Sequence, residues 1–299
     1  MKRIGAYLYI AASWLLAHSP KFILYGIADF IYFILYKVLK YRKKVVIENL
    51  THSFPEKSKD EILDITRKFF HHLSEIFVEN IAIIRMSKKR FLSMVEFKNM
   101  DFLDDLYKKN KSVVGIIGHY ANWEMLTAFS LYTKYKVLSV YKPLTNKFFD
   151  LEFFKMRQRF GELPVSMNDT FKTILKFHRA NQLSILGLIA DQRPPKGKGN
   201  YWTTFLNQET AIFLGPEKIA KKINAAVIYT HIDKIQRGKY QVEFTLLFEN
   251  PNDCAEYEIT EKHVRMLEDK IRQKPELWLW SHKRWKYKRE AEDLNIQTN

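Results

Sequence analysis

The rhythm of apolar and polar positions changes twice along the chain. Residues 4–18 and 22–39 are nearly continuous apolar runs, parted by Ser19-Pro20-Lys21 and followed by the basic group Lys40, Arg42, Lys43 and Lys44. As a helix the second run reaches roughly 27 Å, close to the hydrocarbon thickness of a bilayer. The first is shorter and reads as an interfacial or re-entrant piece. More apolar residues follow it, where a cleaved signal peptide would leave polar mature sequence. Asp29, inside the second run, also admits a buried helical hairpin. The basic group favours a membrane anchor whose following chain lies on the cytoplasmic side.

From 45 to 110 the pattern is helical, with apolar residues at three- and four-residue steps over 61–83 and a break at Phe54-Pro55-Glu56. After about 112 short β-rich runs (112–118, 136–141, 184–190, 225–233, 239–248) alternate with helical stretches near 121–134, 147–160, 169–180 and 210–223. Such alternation predicts an α/β fold: a mixed, mostly parallel sheet flanked by helices, with the last two strands forming an antiparallel hairpin around Arg237-Gly238. The expected organisation is an anchor with a basic flank over 1–44 and a catalytic domain over 45–299. The stretch 191–207 is too long and glycine-rich for a plain connector and predicts a mobile cover or rim of a site.

Chemistry concentrates where the first buried strand ends, in Gly115-Ile116-Ile117-Gly118-His119-Tyr120-Ala121-Asn122-Trp123-Glu124. In one regular helix His119 and Glu124 would project about 140° apart. Cooperation therefore requires His119 in the strand-to-helix turn, which the glycines permit, and Glu124 in the first helical turns. Ligands of open α/β sheets gather at the carboxyl ends of strands, where this turn would lie. A helix N-terminus there disfavours imidazolium, and neutral imidazole is what a base needs. The predicted chemistry has one ring nitrogen of His119 taking a hydroxyl proton while Glu124 receives the other N–H. The alkoxide then attacks an acyl thioester directly, since no Gly-x-Ser-x-Gly elbow points to a covalent intermediate. On spacing alone a polar helix cap is the competing reading.

Charge changes the picture only in part. With 49 Lys and Arg against 33 Asp and Glu the net charge is +16, which predicts an anionic partner of unspecified kind. The single cysteine, Cys254, excludes an internal disulfide, and no histidine or cysteine spacing suggests a metal. Lys283, Arg284, Lys286, Lys288 and Arg289 form the densest late cluster, a candidate docking surface for carrier or membrane. No nucleic-acid recognition signature accompanies the charge, so a tethered nucleic-acid binder and a non-catalytic scaffold are the weaker alternatives.

Taken together these residues resemble the late acyltransferases of lipid A biosynthesis, whose mark is His, four residues, then Asp or Glu. The resemblance runs in order through Tyr41-Arg42, Asn49-Leu50, Phe54-Pro55-Glu56, the segment 118–124, Tyr141-Lys142-Pro143, Asn146, Arg157-Gln158-Arg159-Phe160-Gly161, Asp191-Gln192, Gly215-Pro216, Ala220 and the segment 275–285. It implies a glycerolipid-acyltransferase-like fold, a bacterial inner-membrane location with the catalytic part on the cytoplasmic face, and no cofactor. The implied donor is a thioester on acyl carrier protein, and the implied acceptor a phosphorylated glucosamine disaccharide. It assigns His119 and Glu124 to catalysis and Arg157, Arg159, Asp191 and Gln192 to substrate binding. Trp278, Trp280 and Trp285 read as packing and interfacial residues. Phe205-Leu206-Asn207 departs from the Phe-Phe-Gly common in relatives.

Overall fold

The computed structural model describes residues 2–195 and 201–289. Its centre is a seven-stranded sheet in the order β1-β9-β8-β2-β5-β3-β4. These strands are β1 Val95–Lys98, β2 Val113–Ile117, β3 Lys136–Tyr141, β4 Leu163–Ser166, β5 Ser184–Ile189, β8 Ala226–Gln236 and β9 Lys239–Phe248. Every pair is parallel except the hairpin β8–β9. β2 and β5 sit at the middle with helices over both faces, which is why they read as unbroken apolar runs.

Two strands of this sheet lie outside the expected set. β1 falls in a stretch whose surroundings are helical, and its alternating Val-Glu-Phe-Lys is what a half-covered edge strand needs. β4 carries Pro164, which an edge position tolerates. A separate hairpin, β6 Tyr201–Phe205 and β7 Gln208–Ile212, occupies the end of the stretch predicted as a loop and the start of one predicted as helix. Both its turn residues, Leu206 and Asn207, have positive φ, as a two-residue turn of primed type demands. The strained Leu206 is fully buried and donates its N–H to the Glu268 carboxylate at 2.9 Å, while Asn207 donates to the Ser53 carbonyl. Residues 196–200 of the predicted rim lie outside the described residues.

The helices are α1 Lys2–His18, α2 Lys21–Tyr32, α3 Lys43–Ser53, α4 Lys59–Ile83, α5 Lys88–Leu92, α6 Asp101–Lys108, α7 Lys147–Arg159, α8 Thr170–Arg179, α9 Gly215–Ile223 and α10 Glu258–Gln273. α4 is the longest and starts from a capping box in which Ser58 and Glu61 satisfy each other's backbone N–H groups. Arg159 donates to the carbonyls of Ile83 and Ile84 at its other end.

The expected single span over 22–39 is not one regular helix. α2 passes at Phe33 into a π-helical turn, Phe33–Val38, and the chain then bends by 85° into α3. Among the described residues no single helix is long and apolar enough to cross a membrane. α1 and α2 instead lie along α4, burying Leu16, Leu24, Tyr25 and Ala28 in the same core as Phe69 and Phe70. Asp29, the polar break in the run, pairs with Arg237 of the β8–β9 turn. Their outer sides keep Tyr7, Leu8, Trp14, Leu15, Phe22 and Phe30 exposed, and Phe33 of the π-helical turn continues that face.

Candidate active site

His119 stands just beyond the carboxyl end of β2, as the pattern predicts, but its partner is Asp191 at the end of neighbouring β5. Asp191 Oδ1 lies 2.6 Å from His119 Nδ1, and Oδ2 accepts both the His119 backbone N–H and the Trp278 indole N–H at 2.8 Å. Burial opposes charge on Asp191, yet His119 beside it and those N–H donors outweigh burial and hold its carboxyl at about 2. A carboxylate at Nδ1 fixes the proton there and leaves Nε2, the only ring nitrogen turned away from Asp191, as the basic one. Gln192 Nε2 is 3.3 Å from that Nε2.

Glu124 does not receive the ring N–H of His119. Its carboxylate is gripped by Arg157 of α7, at 2.6 Å from Oε1 to Nη2 and 3.3 Å from Oε2 to Nε. Arg157 therefore acts on Glu124, and Arg159, committed to the end of α4, stands apart from the site. The helix carrying Glu124 is a 3-10 helix, Trp123–Leu131, capped by Asn122, whose side-chain oxygen accepts the Glu124 N–H.

The turn itself is held from both sides. Ala121, at φ 51°, takes the left-handed conformation, and its N–H bonds to the Leu277 carbonyl. The positive φ thus falls on alanine, where the sequence pattern had assigned the turn to glycine. Gly118 serves packing, because a Cβ there would sit 2.7 Å from Leu267 of α10. On the other side the Asn122 amide donates to Glu79 at 2.8 Å, and Glu79 also accepts the Tyr25 and Tyr240 hydroxyls. Since a carboxylate only accepts, Glu79 fixes which way the Asn122 amide faces, and so where its oxygen meets Glu124.

A cavity opens beside this turn, between the sheet and the 3-10 helix. Trp123 joins the two: its ring meets His119 edge-on at 4.9 Å and lines the cavity. At one sheet level Ile228, Gly115, Gly187 and Ser139 are register partners across β8, β2, β5 and β3, and all four line it. The two missing side chains form a trough in a wall that is mostly apolar, with Glu124, Arg157 and Glu162 as its charged members.

A family model described as bacterial lipid A biosynthesis acyltransferase matches residues 1–287. The chain belongs to that family. Among curated proteins, none matches it.

In this member of the lipid A acyltransferase family, several polar groups of the site were not foreseen from sequence. Arg284, placed in a surface cluster by its basic neighbours, is buried, donating to Thr210 and to the Ala211 carbonyl behind Asp191. Trp278 proves to be a hydrogen-bond donor to the site as well as a packing residue. Glu162, just before β4, points into the cavity and accepts from Ser139. Burial pushes its carboxyl up to about 7 against the pull of Arg157. A carboxyl whose folded value exceeds its unfolded one contributes fully below about 4.5 and costs stability as pH rises through 7. Glu162→Gln is therefore expected to raise stability at pH 8 by up to about 3 kcal/mol relative to wild type, and to have little effect at pH 4. Equal pH dependence of denaturant midpoints in the two proteins would contradict this.

Proposed function

We propose that the chain transfers a fatty acyl group from an acyl-carrier-protein thioester to a hydroxyl of a lipid A precursor, a phosphorylated glucosamine disaccharide, without a cofactor. The observation that carries this reading is the His119–Asp191 pair lying, past Trp123, beside a mostly apolar cavity suited to an acyl chain. Nε2 of His119 takes the acceptor's O–H proton, while Asp191 holds Nδ1–H and stabilises the imidazolium formed. The alkoxide adds to the thioester carbonyl, the C–S bond breaks, and the departing thiolate takes the proton back from Nε2. Glu124 and Arg157 act as one unit at the cavity's edge, each neutralising the other away from water. Gln192 steadies the Nε2 side of the ring.

The exposed apolar sides of α1 and α2 support seating on the inner membrane, with the acyl transfer on its cytoplasmic face. Lys283 and Lys288, which remain exposed, leave an acidic carrier a surface to meet.

The test supplies the purified full-length protein with acyl-carrier-protein thioesters of several lengths and a phosphorylated lipid A precursor, and follows acyl gain by mass spectrometry. Wild type is expected to add a single chain and His119→Ala to lose the activity by orders of magnitude. Transfer by wild type only to a different glycolipid or an aminolipid would replace the acceptor, and transfer to no lipid would end the enzyme reading.

A further inference from the structure

The arginines predicted to meet substrate are spoken for, Arg157 by Glu124 and Arg159 by the end of α4. A third arginine is not. Arg193 follows Asp191-Gln192, two residues whose side chains hydrogen-bond to the His119 ring. Among the described residues it has no carboxylate within ion-pair distance, and its Nε is buried without a hydrogen-bond partner. Asp191, two residues back, makes no ion pair with it and is engaged by His119 and Trp278.

Two cations meet on one ring here. The Arg193 guanidinium lies 4.6 Å from the centre of the Tyr287 ring and the Lys286 ammonium 5.7 Å from the same point. The Arg193 charge reaches inward: burial chiefly depresses His282, and Arg193 and buried Arg284 add to it, holding it at about 4. Like charges gathered beside a low-dielectric wall repel one another, and an anion between them would relieve the repulsion. A guanidinium held against an aromatic ring, with no carboxylate to neutralise it, is a natural partner for the oxygens of a phosphate.

We propose that Arg193 and Lys286, set by Tyr287, form the site for a phosphate monoester of the acceptor. This rests on the acyl-transfer reading and adds to it the residues that orient the acceptor's hydroxyl at His119. A donor's pantetheine phosphodiester carries similar chemistry, but it stands at the far end of an extended arm from the thioester. Arg193 is two residues from the carboxylate that holds the base, which favours the acceptor.

The experiment compares a glucosamine disaccharide lipid bearing phosphate monoesters with its dephosphorylated counterpart, using wild type, Arg193→Ala, Arg193→Lys and Lys286→Ala. Wild type is expected to prefer the phosphorylated acceptor at least tenfold in kcat/KM, mainly through KM. Arg193→Ala should lose most of that preference, Arg193→Lys should restore part of it, and Lys286→Ala should show a smaller loss. The KM for the thioester donor should stay within twofold of wild type. A preference retained in Arg193→Ala and Lys286→Ala overturns the site, and a rise confined to the donor's KM assigns it to the phosphodiester instead. If wild type transfers no acyl chain to either acceptor, the acyl-transfer reading itself fails, which is a different result from transfer without discrimination.

Discussion

Asp191→Asn is expected to lower the rate of acyl transfer by about three to four orders of magnitude while leaving both KM values within a few-fold. The reason lies in proton placement. Asp191 accepts three N–H groups, from the His119 ring, the His119 backbone and Trp278. An asparagine must turn its NH2 toward one side. Facing Nδ1, it drives the ring proton to Nε2 and removes the base; facing the other two donors, it sets N–H against N–H. Single-turnover rates with a matched thioester and acceptor would measure the loss. Glu124→Gln should cost less, about one to two orders of magnitude, because it weakens the clasp of Arg157 without altering the tautomer of His119. A severe Glu124→Gln beside a mild Asp191→Asn would return the partner role to Glu124 and refute the pairing with Asp191.

That pairing marks where sequence stopped being legible. The position of His119 could be read from local pattern, since a buried strand followed by a polar turn says where the carboxyl end of β2 must be. Its partner could not, because Asp191 is distant in the chain and reaches His119 only through the parallel pairing of β2 with β5. The five-residue spacing to Glu124 looked like the nearer solution, and the 3-10 geometry of Trp123–Leu131 carries that carboxylate to Arg157 instead. The central strands were legible because burial on both faces leaves an unbroken apolar run, whereas β1 and β4 are short edge strands with no such signature. Arg284 was hidden by its neighbours: Lys283 and Lys286 make the segment look solvated, and only the packing of β7 against it shows one of the basic side chains turned inward. The apolar N-terminal runs were read by length as membrane elements, but length does not reveal that α4 takes one side of α2.

The trough across the sheet carries the second large expectation. Gly115 and Gly187 face each other on β2 and β5, with Ser139 beyond Gly187 on β3. At about 3.3 Å per residue, Gly115 lies roughly 13 Å along the strand from His119, so a chain whose carbonyl rests at the histidine would run its distal carbons through this level. A Cβ built on Gly187 meets Ile117 at 3.5 Å and one on Gly115 meets Ile228 at 3.7 Å, both ordinary contacts, so alanine fits either position without moving the sheet. The methyl groups enter the cavity instead. Each methylene refused burial is worth about 0.8 kcal/mol, or roughly fourfold. The double variant Gly115→Ala, Gly187→Ala is therefore expected to shift the preferred thioester one or two methylene pairs shorter, with a loss of at least tenfold on the wild-type optimum and little change on the shortest donors. Competition among thioesters in one mixture, read by product mass, measures the shift directly. An unchanged optimum in the double variant would mean the acyl chain does not lie in this cavity, and a uniform loss at every length would mean the substitutions disturb the turn that holds His119.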